Sequence, residues 1–197
     1  MHILIVCRDL PDPSLTETLK SAWNKADVSL VTLADLTADS FTGSDTIMVI
    51  GARGADGDVP LESLSLLTNL MLDTPVPVIA VGWGFEIACL AAGDDLAAGG
   101  YGLVDGAAHM VPTSKGEALF QGSDPIRIEQ NKRWDYDELP RGYVALARSD
   151  TGIEAFQSKK NQLLAIQLLP ADYAYPSDAK LVYQNLITAF AKAGKRA

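Results

Sequence analysis

The ten residues Pro77-Val78-Ile79-Ala80-Val81-Gly82-Trp83-Gly84-Phe85-Glu86 have the pattern of a buried strand turning sharply into a helix. A turn of this kind lifts one side chain clear of the carboxyl end of a sheet, and the chemistry it serves is nucleophilic attack by Ser or Cys. The lifted position holds Gly82. Glycine has nothing to attack with. It does enter this strained backbone region without the penalty of on the order of 1–3 kcal/mol that a side-chain-bearing residue meets there.

Other residues capable of chemistry are few. Cys7 closes an apolar run at the N-terminus, and Cys89 lies in the apolar stretch after the turn. A thiol without a neighbouring base stays protonated and inert, so both are expected to be packing residues. His109 has no carboxylate partner in view, and with only His2 besides, no metal set and no cofactor are expected. Glu86 is a candidate for recognising an amine or a cationic ligand, or else it is a helix N-terminal acid favoured by the helix dipole. Arg53, in a Gly-rich loop with Gly51 and Ala52, could hold an anion or cap the loop, and a solvated arginine is the expected state. Asp56 and Asp58 are too few for a calcium site and read as a polar turn. Gly82-Trp83-Gly84 lacks the third glycine of a dinucleotide fingerprint.

The elements around these residues alternate. Ile3 to Cys7 is a continuous apolar run, as in a strand covered on both faces. Ser14-Leu15-Thr16-Glu17 matches a capping box and opens a helix through Trp23. Strands are expected at Val28 to Leu33, Thr46 to Ile50 and Val78 to Val81, with helices at Leu61 to Leu72 and Phe85 to Ala92, the second stopped by Gly93. This βαβ rhythm predicts a mostly parallel sheet with helices on both faces. From Gly99 to Leu168 the segments are short and separated by turn residues at Gly106, Pro112, Gly116, Gly122 to Pro125, Pro140 to Gly142 and Asp150 to Gly152. They predict an antiparallel extension, with last strands at Ile153 to Phe156 and Leu163 to Leu168. Ser177 to Ala193 reads as a closing amphipathic helix with Leu181, Leu186, Ile187 and Phe190 on one side.

With 197 residues, 48% of them hydrophobic and 21% charged, the chain fits one soluble globular domain over 1–197. Sixteen basic against twenty-five acidic residues leave a net charge of −9, which disfavours nucleic acid and anionic membranes as partners. No apolar run reaches membrane-spanning length, and the N-terminus reads directly as a strand, so a cytoplasmic protein is expected.

Four segments, in order and spacing, resemble the class I glutamine amidotransferases, particularly those similar to the glutaminase domain of GMP synthase. Ile47 to Gly54 is similar to the family's strand and Ser-Gly-Gly-Pro-Gly loop. Pro77 to Glu86 is similar to Pro-Val-x-Gly-Ile-Cys-x-Gly-x-Gln, with Ala91-Ala92-Gly93 downstream. Trp134 to Pro140, followed by Ala145 to Ser149, resembles the family's His-Gly-Asp segment before a Leu-Pro and a Leu-Ala-x-Ser strand. Ala165 to Ala171 resembles Gly-Val-Gln-Phe-His-Pro-Glu.

The resemblance implies a flavodoxin-like, three-layer α/β fold with a central mostly parallel sheet and an antiparallel extension. It implies a Cys-His-Glu triad as well, and here this sequence departs: those positions hold Gly82, Leu169 and Ala171. None of the three replacements can attack, move a proton or accept a hydrogen bond through its side chain. Glu86 stands where a substrate-contacting Gln is expected, Arg53 where the loop carries Pro, and Arg133 close to a usual His. The former cleft would be lined by Gly51, Ala52, Arg53, Trp83, Glu86 and Arg133. Trp83 either fills the space that Gly82 leaves or joins Trp134-Asp135-Tyr136 in an aromatic contact patch. In the family, such a domain works against an ammonia-receiving synthase. A catalytically inactive binding or regulatory subunit is therefore expected, with a synthase-like partner or as a homodimer. The alternative is a hydrolase or transferase of different chemistry using Cys7, His109 or Glu86.

Overall fold

The protein is described from a computed structural model covering residues 1–8, 26–51, 61–93, 104–121, 126–132, 138–160 and 162–167, together with 182, 185, 186 and 188. In chain order the elements are β1 (His2–Cys7), β2 (Asp27–Thr32), β3 (Thr46–Gly51), α1 (Leu61–Asp73), β4 (Val78–Gly82), α2 (Trp83–Ala91), β5 (Val104–Pro112), β6 (Ile126–Lys132), β7 (Tyr143–Ser149), β8 (Gly152–Ser158) and β9 (Leu163–Ile166).

The strands form one sheet in the order β2-β1-β3-β4-β9-β8-β7-β5-β6. The first five are parallel neighbours. With β9 counted as the fifth, their order is the 2-1-3-4-5 of flavodoxin-like sheets. Strands β8, β7, β5 and β6 continue the sheet antiparallel.

The central strands read as unbroken apolar runs because both of their faces are covered, and the alternation within each run sorts side chains into two cores. Ile3, Ile5 and Cys7, Met48 and Ile50, Ile79 and Val81, and Leu164 and Ile166 line one core, joined by the helical residues Val182 and Leu186. Leu4 and Val6, Ile47 and Val49, Val78 and Ala80, and Leu163 and Ala165 line the other, beneath α1 and α2. The sheet is thus the middle of three layers.

Several sequence expectations shift. Leu33 leaves the second strand for a 3-10 turn, Leu33–Asp35. Helix α2 begins at Trp83, directly after Gly82, rather than at Phe85. Gly106 is no turn: it sits inside β5 opposite Gln130, and Pro112 ends that strand paired with Ala147. Strand β9 stops at Ile166 and belongs to the parallel half, against β4. The expected helix from Ser14 lies outside the described residues. So do Leu181, Ile187 and Phe190 of the closing helix.

Candidate functional site

The elbow forms where the sequence places it. Val78 to Gly82 is fully buried between β3 and β9, and the chain reverses at Gly82 with φ 59° and ψ −113° into the first turn of α2. A positive φ with extended negative ψ is strained for any residue bearing a Cβ, and glycine relieves it. The turn is held tightly from below. A Cβ on Gly84 would lie 2.1 Å from the carbonyl oxygen of Val49, so only glycine lets α2 start this close to β3.

Trp83 projects from the elbow over the neighbouring strand end. A Cβ on Gly51 would meet the Trp83 Cβ at 3.1 Å and its Cε3 at 3.3 Å. Gly51 and Gly82 are paired in the β3–β4 register, so the indole covers the adjacent strand tip, buried within the α2-side core. It is not an exposed contact residue. Ala52, Arg53, Arg133, Trp134, Asp135, Tyr136, Leu169 and Ala171 lie outside the described residues.

Glu86 lies in the first turn of α2 and is buried, a placement in which the helix dipole favours the carboxylate. Cys7 ends β1 on the same sheet edge but packs into the opposite core. Burial pushes its thiol from 9.0 up to about 11. At neutral pH that leaves roughly one thiolate in ten thousand, too little for a nucleophile. His109 is exposed on β5, six strand steps along the sheet from β1, on the order of 25–30 Å at normal strand spacing. Cys7 and His109 cannot form a dyad. Among the described residues no three His, Cys, Asp or Glu side chains gather in a way that could hold a metal.

The thiol environment carries a direct prediction. Cys89 is buried as well. Native protein treated with a thiol reagent at pH 8 should show no fast phase, and both cysteines should react at once in denaturant. Rapid labelling of Cys7 in the folded chain would contradict its placement.

One buried polar group near the elbow escaped the sequence reading. Glu154, fully buried, falls at an irregularity in the β7–β8 ladder, where the register skips it between the Ala147↔Ala155 and Arg148↔Ile153 pairs. Its Oε1 accepts hydrogen bonds from the Ser149 hydroxyl at 2.6 Å and the Thr151 hydroxyl at 3.3 Å. The Thr151 amide donates to the Ser149 Oγ at 3.1 Å, closing the β7–β8 turn around the carboxylate. The backbone amide of Gln167 donates to the Glu154 carbonyl at 2.8 Å. Gln167 itself is buried, one residue past the Val81↔Ile166 pair and therefore level with Gly82. The carboxyl edge thus runs Cys7, Gly51, Gly82, Gln167, with the Glu154 turn beside them. The available signal was a lone carboxylate inside the apolar run Ile153-Glu154-Ala155-Phe156.

A flavodoxin-like parallel sheet with an antiparallel extension, and a glycine-lined elbow at the carboxyl end of β4, define an α/β protein of the nucleophile-elbow type. The chain belongs to the class-I glutamine amidotransferase family, whose pattern matches residues 13–189. Solved structures agree on the fold. A putative GMP synthase subunit from Thermoplasma acidophilum superimposes with a TM-score of 0.77 at 18% identity, over 98% of this chain and 96% of that one. A glutamine amidotransferase from Thermotoga maritima gives 0.73 at 13% identity over 96% and 97%. The glutaminase domain of CTPS from Trypanosoma brucei, with bound acivicin, gives 0.69 at 16% over 97% and 94%. No curated protein sequence matches the chain. No helix among the described residues is long and apolar enough to cross a membrane.

Proposed function

We propose that this chain is an amidotransferase-like domain without glutaminase activity, acting over residues 1–197 as a binding or regulatory subunit in the cytoplasm. The observation that carries the reading is Gly82. Its backbone keeps the elbow, at φ 59° and ψ −113°, while no side chain is there to attack an amide. The positions that the motif resemblance assigns to the base and the orienting acid, Leu169 and Ala171, offer no proton-transferring group. Three losses in two segments far apart in sequence fit abandonment of the chemistry better than a change in one group. The different-chemistry alternative rested on Cys7, His109 or Glu86; Cys7 is buried and held protonated and His109 lies far along the sheet, which leaves it only Glu86, buried in the first turn of α2. A synthase-like partner is the natural complement of this reading, because one structural neighbour is described as a GMP synthase subunit.

Purified protein supplied with glutamine should release ammonia only at the buffer rate. The Gly82→Cys variant should do the same, because a thiol without its His stays protonated and no acid stands ready to protonate the leaving ammonia. Ammonia release that co-purifies with the wild-type chain through successive columns would overturn the reading.

A further inference from the structure

At the opposite end of the sheet from the elbow, an open groove of about 420 Å³ runs between the C-terminal half of α1 and the turn preceding β3. Phe41 is buried at its base, and Leu66, Leu70 and Val76 line it, half-buried against the α2-side core. Gly43 and Asp73 stand at its rim. Its volume falls within the range of clefts that enclose a ligand the size of a few side chains.

The stretch of chain that builds it is one-sided in charge. Between Ala26 and Ser114 the sequence carries one basic residue, Arg53, against twelve acidic ones. The remainder of the chain is slightly basic, so the −9 net charge is concentrated in this part. Asp73 lies on the groove, and Asp39 lies in the turn that supplies Ala38 and Phe41 to it; both are exposed. Asp45 follows Gly43 and is exposed too. The positive charge nearest to it among the described residues is the Met1 ammonium, 3.8 Å from the Asp45 Oδ2. An apolar trough under an acidic rim attracts a ligand with the reverse pattern: apolar side chains to fill it and cations to meet Asp39 and Asp73.

We propose that this groove docks a basic, amphipathic segment of a partner protein, with one or two aliphatic or aromatic anchors over Leu66 and Leu70 and Lys or Arg residues against Asp39 and Asp73. The site lies apart from the elbow, so the proposal stands whether or not the elbow has lost its chemistry.

The test uses the full chain and a fluorescent 15-residue helical peptide of leucine and lysine, with its leucine and glutamate counterpart as the negative probe. Binding at about 150 mM salt should be confined to the basic peptide. Asp73→Lys should weaken it about tenfold, and Leu70→Asp about thirtyfold. Glu117→Lys makes the same change in net charge at an exposed position outside the groove and should leave the affinity within about twofold. Amide chemical-shift changes should centre on Phe41, Leu66, Leu70 and Val76. Equal losses for Asp73→Lys and Glu117→Lys would reduce the attraction to net charge and overturn the proposal. Shifts centred on the elbow, or no binding of the basic peptide at all, would overturn it too. Thermal melts of the Leu70→Asp variant separate a lost site from a lost fold, and Asp73→Lys, at an exposed position, carries the proposal if that variant unfolds.

Discussion

Gly84→Ala should lose more than about 3 kcal/mol of stability, lowering the melting temperature by roughly 6–12 °C for a chain of this size. The added Cβ would stand 2.1 Å from the Val49 carbonyl oxygen and 2.8 Å from its carbon. These are backbone atoms of a fully buried central strand, so no side chain can swing aside to make room. Helix α2 would have to lift away from β3, breaking its contact with the core built by Val49, Phe85 and Ala88. Gly82 would move with it, because the elbow is the first turn of the same helix. Gly93→Ala is the matched control. Gly93 has φ 84° and nothing within 4 Å of a new Cβ, so that variant meets only backbone strain, about 1 kcal/mol. If the two variants melt together, the close approach of α2 to β3 is wrong. If they separate as expected, the second glycine of the elbow is structural and independent of any catalytic role.

That second glycine was legible in sequence only as part of a Gly-x-Gly turn. The features written in composition and local spacing came through well. Continuous apolar runs at Ile3 to Cys7, Thr46 to Ile50 and Val78 to Val81 became the parallel strands, since burial on both faces removes the polar alternation. The leucine spacing from Leu61 became α1 because one stripe of it, Leu67 and Met71, is fully buried. Gly82 was expected to relax a strained backbone, and its φ of 59° agrees.

What depends on contacts distant in sequence did not come through. The four-residue run Leu163 to Ile166 suits either sheet orientation, and only its pairing with β4 decides that it is parallel. Gly106 reads as punctuation, yet seven consecutive cross-strand pairs with β6 carry it inside a strand. Glu154 looked like an ordinary strand residue. Its burial follows from the ladder irregularity and from two hydroxyls brought in by the turn ahead of it. Trp83 was expected at the emptied position or at an exposed patch. It is buried and lies across Gly51, the strand neighbour of Gly82, where a missing Cβ leaves room for the indole.

The antiparallel extension is tied to the parallel half through aromatic packing, and Phe156→Ala tests that tie. Phe156 is fully buried on β8. Its ring meets Phe85 of α2 edge-on, with centroids 5.2 Å apart and planes at 67°. It meets Tyr143, at the start of β7, at 5.6 Å and 81°. Both arrangements set the positive edge of one ring against the negative face of another, which adds about 0.5–1.5 kcal/mol per pair beyond area burial. Truncation to alanine removes both contacts and leaves a cavity between the layers, so the expected loss is about 3–5 kcal/mol. Phe156→Leu keeps most of the volume and should lose roughly 1.5 kcal/mol or less beyond the aromatic terms. Urea unfolding read by circular dichroism gives the losses, with the slope unchanged if only packing is affected. Because Phe85 shares the contact, the double variant Phe85→Ala/Phe156→Ala should lose less than the sum of the two single losses, by about 0.5–3 kcal/mol. Strict additivity would mean that the two rings act alone, leaving α2, and the elbow it begins, supported by β3 and β4 without help from the extension.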